Sequence, residues 1–318
     1  MVILVACGTE PVDESTGSSA STSTVAPRSS IAPGSSTAAT ASVASLALTS
    51  GDAAIDTAAA ASTTAVRVPS TTVETTDCER IAAAVARRHG ATRGTPVADQ
   101  QVIVRTTAWA DTTATLELAT RTAGGWRCGA PMTARVGRHG VRPLLDRRSG
   151  DGTTPAGVFP LATMTAPDGQ RFSFFGNDPD PGVTAGTYRD VRAGDCFGAT
   201  PGTPGYGHLR DDPACTGPDD EYLPRFVQAY THAALIGANT EPDVSGDAPD
   251  EVPYAAAIFL HRHAYRSGGS GGPGGGGATN PTSGCVSLAA PDLVHVLTSL
   301  DADSVFAIGP TDWLLTTA

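Results

Sequence analysis

The chain has 318 residues, of which 36 are glycine and 24 are proline, and only 17% are charged. This length suits one large domain or two ordinary ones, and the glycine and proline content indicates long loops. The net charge is −11, and all 21 basic residues are arginine. The missing lysine excludes a Walker A phosphate site, a Schiff-base lysine and a Ser-Lys dyad. The acidic balance argues against nucleic-acid binding, which needs clustered cations.

The first 70 residues are unlike a folded domain. Every Phe, Tyr and Trp lies from Trp109 onward, and residues 8–70 are mostly Ala, Ser and Thr. Such a stretch cannot offset its ordering entropy by burial, so a disordered tether is predicted. The residues before it read LVACG and resemble a bacterial lipobox. This predicts that residues 1–7 are a partial lipoprotein signal, that Cys7 carries the lipid, and that this anchor is the only membrane contact; the alternative is a chance apolar N-terminus.

The rest of the chain predicts a mainly β domain with one or two short helices. A helix is expected over Asp77–His89 within a short helical segment, 71–98, with Asp77 as its cap and Gly90 at its end. Residues 99–318 form the predicted catalytic domain, in which Arg189–Pro224 is a loop. Its predicted strands, from period-two or apolar runs, are Gln101–Thr106, Thr115–Thr120, Pro131–Val136, Ala156–Leu161, Phe226–Gly237, Tyr254–His263 and Val305–Ile308. A second helix is expected over Pro291–Leu300.

One Cys and two His residues form the candidate catalytic group. His261 and His263 end an apolar strand, and Cys285 follows Gly284. A thiol nucleophile needs a base within hydrogen-bond reach, and a neighbouring glycine lets backbone amides approach an oxyanion. Both histidines point to the same side of a strand, so spacing alone does not choose the base. A zinc site from these three residues is the weaker alternative, since it lacks a fourth ligand.

These residues lie in motifs that resemble the L,D-transpeptidase catalytic domain (YkuD) family over about residues 126–309. The motifs are DGTTPAGVFPL, AIFLH and PTSGCVSL, together with Tyr188–Val191 and the Tyr230–Asn239 pair typical of one branch. The resemblance implies a β-sandwich or barrel-like catalytic domain. Ser283 and Ser287 replace residues of the commoner branch, and a Gly-rich stretch, 267–277, separates the two catalytic residues; it is a linker or a substrate lid.

The resemblance implies a role for each residue of the group. Cys285 would be the nucleophile and His261 its base, with the imidazolium favouring the thiolate, and the amides of Gly284 and Cys285 would form the oxyanion hole. The implied substrate-binding residues are Thr282, Ser283, Ser287 and Tyr230. No cofactor and no metal are expected.

The implied activity is peptidoglycan cross-linking by acyl transfer. A stem peptide ending in D-alanine would acylate the cysteine, and an amine of another stem peptide would accept the acyl group. Carbapenem β-lactams are the expected inhibitors. Two alternatives stay open: a carboxypeptidase on the same scaffold, in which water is the acceptor, and a catalytically silent wall-binding lipoprotein.

The remaining cysteines predict two disulfides and an oxidising, extracytoplasmic compartment. With Cys7 and Cys285 assigned, four cysteines allow three connectivities. Cys196 and Cys215 flank one Gly/Pro/Asp-rich loop, which favours their pairing and leaves Cys78 with Cys128.

Overall fold

The structure is a computed structural model that describes residues 75–93, 99–241, 244–245, 256–265 and 279–317. The predicted lipidation at Cys7, the tether 8–70 and the Gly-rich stretch 267–277 lie outside these residues. No helix within the described ranges has the length and apolarity needed to span a membrane.

The described residues form a mainly β domain, as predicted. The helices are α1 (Asp77–Arg93), α2 (Ala290–Ser299) and α3 (Thr311–Thr316), with 3-10 turns at Leu144–Asp146 and Leu223–Arg225. The first nine strands are β1 (Gln100–Thr106), β2 (Thr113–Thr122), β3 (Gly125–Cys128), β4 (Met132–Arg135), β5 (Val141–Pro143), β6 (Thr154–Pro160), β7 (Met164–Thr165), β8 (Arg171–Phe172) and β9 (Phe174–Gly176). The other eight are β10 (Tyr188–Asp190), β11 (Asp195–Phe197), β12 (Leu209–Asp211), β13 (Glu221–Tyr222), β14 (Ala233–Leu235), β15 (Phe259–Arg262), β16 (Val286–Leu288) and β17 (Val305–Pro310).

One large mixed sheet carries the candidate catalytic strands at its centre. Its order is β10-β9-β14-β15-β16-β4-β2-β1-β17-β6-β5, with β3 paired to β2. Within it, β15 and β16 are parallel neighbours. A separate small sheet, β12-β11-β13, lies within residues 195–222, and β7 pairs with β8. We call the segment 195–222 the small-sheet module.

The two faces of β15 and β16 enter different hydrophobic clusters. Leu260, Val286 and Leu288 pack in one cluster with the buried residues of α2. Phe259 and Cys285 belong to a second cluster, on the opposite face, together with aromatic residues of the small-sheet module. This division follows from strand geometry, since alternate side chains point to opposite faces.

The N-terminal helix begins and ends differently from its prediction. Thr76, not Asp77, is its cap: Thr76 Oγ1 accepts from the Glu79 amide, and the Glu79 carboxylate accepts from the Thr76 amide, at 3.2 and 3.0 Å. This reciprocal pair is a capping box. The helix also continues through Gly90 to Arg93. Its inner side packs in a third cluster that includes Ile81, Val85 and residues of β1, β17 and α3.

Three further predictions of local structure were wrong. Only Ala233–Leu235 of the predicted strand Phe226–Gly237 forms a named strand, because residues 227–232 are turns and bends that follow the 3-10 helix Leu223–Arg225. The predicted loop Arg189–Pro224 contains the small sheet. The six residues of α3 follow β17, which makes three helices rather than one or two.

Both predicted disulfides are present. Cys78 pairs with Cys128, which joins α1 to the end of β3, and Cys196 pairs with Cys215 within the small-sheet module. The two bridges span 50 and 19 residues of sequence. Each restricts the unfolded chain, by about 3 to 4 kcal/mol in the chain-entropy account.

Candidate active site

Adjacent parallel strands bring His261 and Cys285 to one buried face. The register pairs His261 with Ser287, and Cys285 stands two residues before Ser287. Residues two apart on a strand share a face, so the thiol position and the imidazole lie on the same side of the sheet. Both side chains are buried, with exposures of 0% for Cys285 and 1% for His261.

The Cys285 sulfur lies against the backbone of the strand that carries His261. The Phe259 amide donates to Sγ at 3.3 Å, and Sγ lies 3.4 Å from the Ala257 carbonyl oxygen. Ala257 has φ +55°, a left-handed conformation that is uncommon for a residue other than glycine. An N–H donor stabilises a thiolate more than a thiol. The sulfur is disulfide-bonded in this structure.

The His261 ring is held in one tautomer. Nδ1 lies 2.7 Å from the Arg262 carbonyl oxygen, and because a carbonyl only accepts, Nδ1 carries the proton. Nε2 therefore presents its lone pair, and it is buried with no hydrogen-bond partner among the described residues. The pKa of His261 is lowered to about 4, mainly because the ring is buried. The hydrogen bond to the Arg262 carbonyl raises the pKa, but by less than burial lowers it. The imidazole is thus neutral at pH 7 in this structure, in which Cys285 is disulfide-bonded.

The structure separates the two histidines that spacing left equivalent. His263 Nδ1 lies 2.9 Å from Ser287 Oγ, and its ring packs against Tyr265. Burial lowers its pKa to about 4, and the charge of Arg135 acts in the same direction. Ser287, predicted to bind substrate, is fully buried in this contact. His261 therefore has the open nitrogen, while His263 is engaged by a serine.

Two threonines fix the loop that carries the cysteine. The hydroxyls of Thr282 and Thr154 both donate to the Cys285 carbonyl oxygen, at 2.6 and 3.1 Å. Thr282 Oγ1 also accepts from the Gly284 amide at 3.2 Å. This amide, predicted for the oxyanion hole, must leave that contact before it can stabilise a substrate oxygen. Thr154, which belongs to the TPAGVF segment, shows how that segment serves the site.

Two arginines flank the same loop. Arg138 Nη1 donates to Ser283 Oγ at 3.0 Å, which places this predicted substrate-binding serine on a guanidinium. Gly284 has φ +155°, and a side chain there would bring its Cβ to 3.1 Å from Arg147 Nη2 and from the Thr153 carbonyl oxygen. A side chain at position 284 would therefore be strained.

A buried carboxyl lies behind the histidine. Tyr230, the fourth predicted substrate-binding residue, is fully buried; its ring centroid is 5.5 Å from that of His261. Its hydroxyl hydrogen-bonds Glu221 Oε1. Burial raises the pKa of Glu221 to about 8, so this carboxyl is largely protonated at neutral pH.

The other motif residues hold the region next to the site. Arg189 donates through both terminal nitrogens to Asp195 at 2.6 and 2.9 Å, and both side chains are buried. This pair joins β10 to the small-sheet module. Tyr188 donates to the Asp178 carbonyl oxygen, and Asn239 bonds the backbone of Ser245.

Among the described residues, one group has the spacing of a metal site: Cys196, Cys215 and Asp220. The two sulfurs are joined to each other, so they are not available as thiolate ligands.

No protein-family model, curated protein or solved structure matches this chain.

Four residues of this region have no counterpart in the sequence predictions. They are Arg138, Arg147, Thr154 and Glu221, and each reaches the site from a distant part of the chain. Thr154 lies in the quoted motif DGTTPAGVFPL, but no sequence pattern assigned any of the four to the site.

Proposed function

We propose that the protein is a cysteine acyltransferase of the L,D-transpeptidase type, which acts on D-alanine-terminated stem peptides of the cell wall. The observation that carries the proposal is the tautomer of His261. Its Nδ1–H is held by the Arg262 carbonyl, which leaves the Nε2 lone pair buried on the face that carries Cys285. A base oriented by a third group, on the strand face that carries a cysteine, supports nucleophilic catalysis.

The first half-reaction forms a thioester. His261 Nε2 takes the proton of the reduced Cys285 thiol, and the sulfur attacks the carbonyl carbon that precedes D-alanine. The C–N bond then breaks, and the imidazolium returns the proton to the departing amine of D-alanine. The Phe259 amide stabilises the thiolate before attack, because it donates to Sγ.

The second half-reaction restores the thiol. An acceptor amine attacks the thioester carbon, and the proton that it loses passes through His261 to the Cys285 sulfur. The peptide bond to D-alanine is broken and a new peptide bond to the acceptor amine is formed, so the exchange needs no cofactor. The required state is the reduced thiol.

Product analysis of the reduced full-length protein tests the proposal. A donor peptide ending in D-alanine would be incubated with an amine acceptor, and D-alanine and the cross-linked product would be quantified by mass spectrometry. We expect both products from the wild type and neither from Cys285→Ala. Omitting the acceptor measures hydrolysis, the carboxypeptidase alternative. A reduced protein that releases no D-alanine would contradict the proposal.

The oxidised state of Cys285 supports a second candidate, a catalytically silent wall-binding module. In that case the sulfur has a structural role, and the buried histidine is a packing residue. Co-sedimentation with purified peptidoglycan distinguishes the two. The silent module would bind equally well as wild type and as Cys285→Ala, and the wild type would release no D-alanine after reduction.

A further inference from the structure

Arg147 is a buried cation beside the candidate nucleophile. Only 2% of its side chain is exposed, and it follows the 3-10 turn Leu144–Asp146. Its Nη2 faces Gly284, the residue immediately before Cys285. An arginine remains charged even when buried, so it needs anions or hydrogen-bond acceptors around it.

The partners of this guanidinium are too few. Nε donates to Thr153 Oγ1 at 3.2 Å, and Nη2 makes a long contact of 3.4 Å with Asp151 Oδ1. Nη1 is buried and has no hydrogen-bond partner among the described residues. A buried donor left in this state costs about 1 to 3 kcal/mol, and more when it is charged.

The carboxylate that faces Arg147 is shared. Asp151 Oδ1 also accepts from the amide and hydroxyl of Thr153, at 2.8 and 2.7 Å. Its Oδ2 accepts from the Arg148 amide and lies 3.9 Å from Arg142 Nη1. Residues 138–151 hold four arginines and two aspartates, Asp146 and Asp151, in a chain whose net charge is −11. Asp151 therefore divides its two oxygens among several donors, and only the long 3.4 Å contact reaches Arg147.

We propose that Arg147 binds the terminal carboxylate of the acyl donor and so selects peptides that end in a free D-alanine. The inference rests on the proposed function. In such a donor the carboxylate belongs to the residue next to the scissile bond, about one 3.8 Å residue step away. Arg147 Nη2 lies beside Gly284, the residue before Cys285. Its planar fork suits a carboxylate, which supplies acceptors for the unpaired Nη1.

Peptide binding to an inactive protein tests this without turnover. Full-length Cys285→Ala would be titrated by calorimetry with a donor peptide ending in D-alanine and with the same peptide ending in D-alaninamide. The second variants are Arg147→Gln, Arg147→Lys and, as the matched control, Arg142→Gln. Arg142 contacts the same aspartate, but its side chain is half exposed. Thermal unfolding checks that each variant is folded.

We expect the carboxylate peptide to bind roughly 10 to 100 times more tightly than the amide in the Cys285→Ala background. Arg147→Gln reduces this preference to within about threefold, Arg147→Lys retains part of it, and Arg142→Gln keeps it. Equal binding of the two peptides, no binding of either, or a preference that survives Arg147→Gln overturns the inference. If Arg147→Gln is unfolded, a full preference in Arg147→Lys overturns it. Failure of the proposed function is measured by a different experiment, in which the reduced wild type would release no D-alanine.

Discussion

At the residue scale, the site is built on the buried His261, whose Nδ1 is hydrogen-bonded and whose Nε2 has no hydrogen-bond partner among the described residues. The Arg262 carbonyl fixes the proton on Nδ1 of His261, and burial keeps the ring neutral. A neutral imidazole accepts a proton without first losing one, which is what a general base does.

We expect acylation of reduced Cys285 to lose rate only as the pH falls through about 4, where His261 becomes protonated in the free protein. His261→Ala should lower the rate by about 10²-fold or more and remove this acid limb. Pseudo-first-order rates of carbapenem adduct formation between pH 3.5 and 7.5 measure both. An acid limb near pH 6.5, the ordinary histidine value, would show that the base is an exposed or differently placed histidine.

Glu221 makes stability depend on pH with the opposite sign from an ordinary carboxyl. The folded protein holds its proton up to about pH 8, whereas the unfolded chain releases it near 4.3. Between these values the folded state binds more protons, so the free energy of unfolding falls as pH rises. The fall is at most about 1.4 kcal/mol per unit.

The free energy of unfolding of Glu221→Gln should therefore rise by about 2 to 3 kcal/mol relative to that of the wild type as the pH goes from 5 to 7. Urea unfolding at several pH values measures the difference. Tyr230→Phe is the matched control, because it keeps the carboxyl and its burial while removing the hydroxyl that lowers its pKa. The free energy of unfolding of Tyr230→Phe should still fall as the pH rises. A wild type and a Glu221→Gln variant with parallel pH profiles would contradict the assignment.

The sequence predicted the strand that carries His261 and the helix over Pro291–Leu300, because each depends on a local pattern. It could not choose between His261 and His263, since the choice depends on Ser287 engaging one of them. It gave no signal for Glu221 or Arg147, whose partners Tyr230 and Gly284 come from other segments. Such contacts depend on tertiary packing, which local patterns do not encode.

At the element scale, the small-sheet module is held by covalent and ionic links. The Cys196–Cys215 disulfide closes it, and the Arg189–Asp195 pair ties it to β10. Its sequence is rich in Gly, Pro and Asp, which predicted a loop. The three strands are only two or three residues long, too short for a recognisable alternation of polar and apolar residues.

Removing one partner of the buried pair should be costly. Arg189→Gln leaves the Asp195 carboxylate without its guanidinium, so the free energy of unfolding should fall by about 3 to 5 kcal/mol. The matched control is Arg192→Gln, which breaks the exposed contact with Asp168. Denaturant midpoints should be much lower for Arg189→Gln and unchanged for the control. Equal midpoints for the two variants would show that the pair carries no stability.

At the scale of the whole molecule, α1 belongs to the same core as the sheet. Ile81 and Val85 are fully buried against β1, β17 and α3, and Cys78 is bonded to Cys128. The sequence predicted the helix but placed it in a segment of its own, because its partners lie far along the chain. The predicted lipid anchor and tether stay predictions.

Truncation tests the role of the helix. A chain beginning at Thr75 should keep the thermal unfolding transition of the full-length domain. A chain beginning at Asp99 loses the burial of two large side chains and one disulfide, so it should be destabilised by roughly 3 to 6 kcal/mol from burial alone. Near-ultraviolet circular dichroism would follow both. Equal melting of the two chains would show that the helix is dispensable.

The most direct measurement is the intact mass of the reduced full-length protein before and after incubation with a carbapenem, with peptide mapping of any adduct. We expect one covalent adduct, located on Cys285, in the wild type and none in Cys285→Ala. A reduced protein whose Cys285 thiol is alkylated by a small reagent, but which forms no carbapenem adduct, would contradict the claim that this cysteine is an acyl-transfer nucleophile.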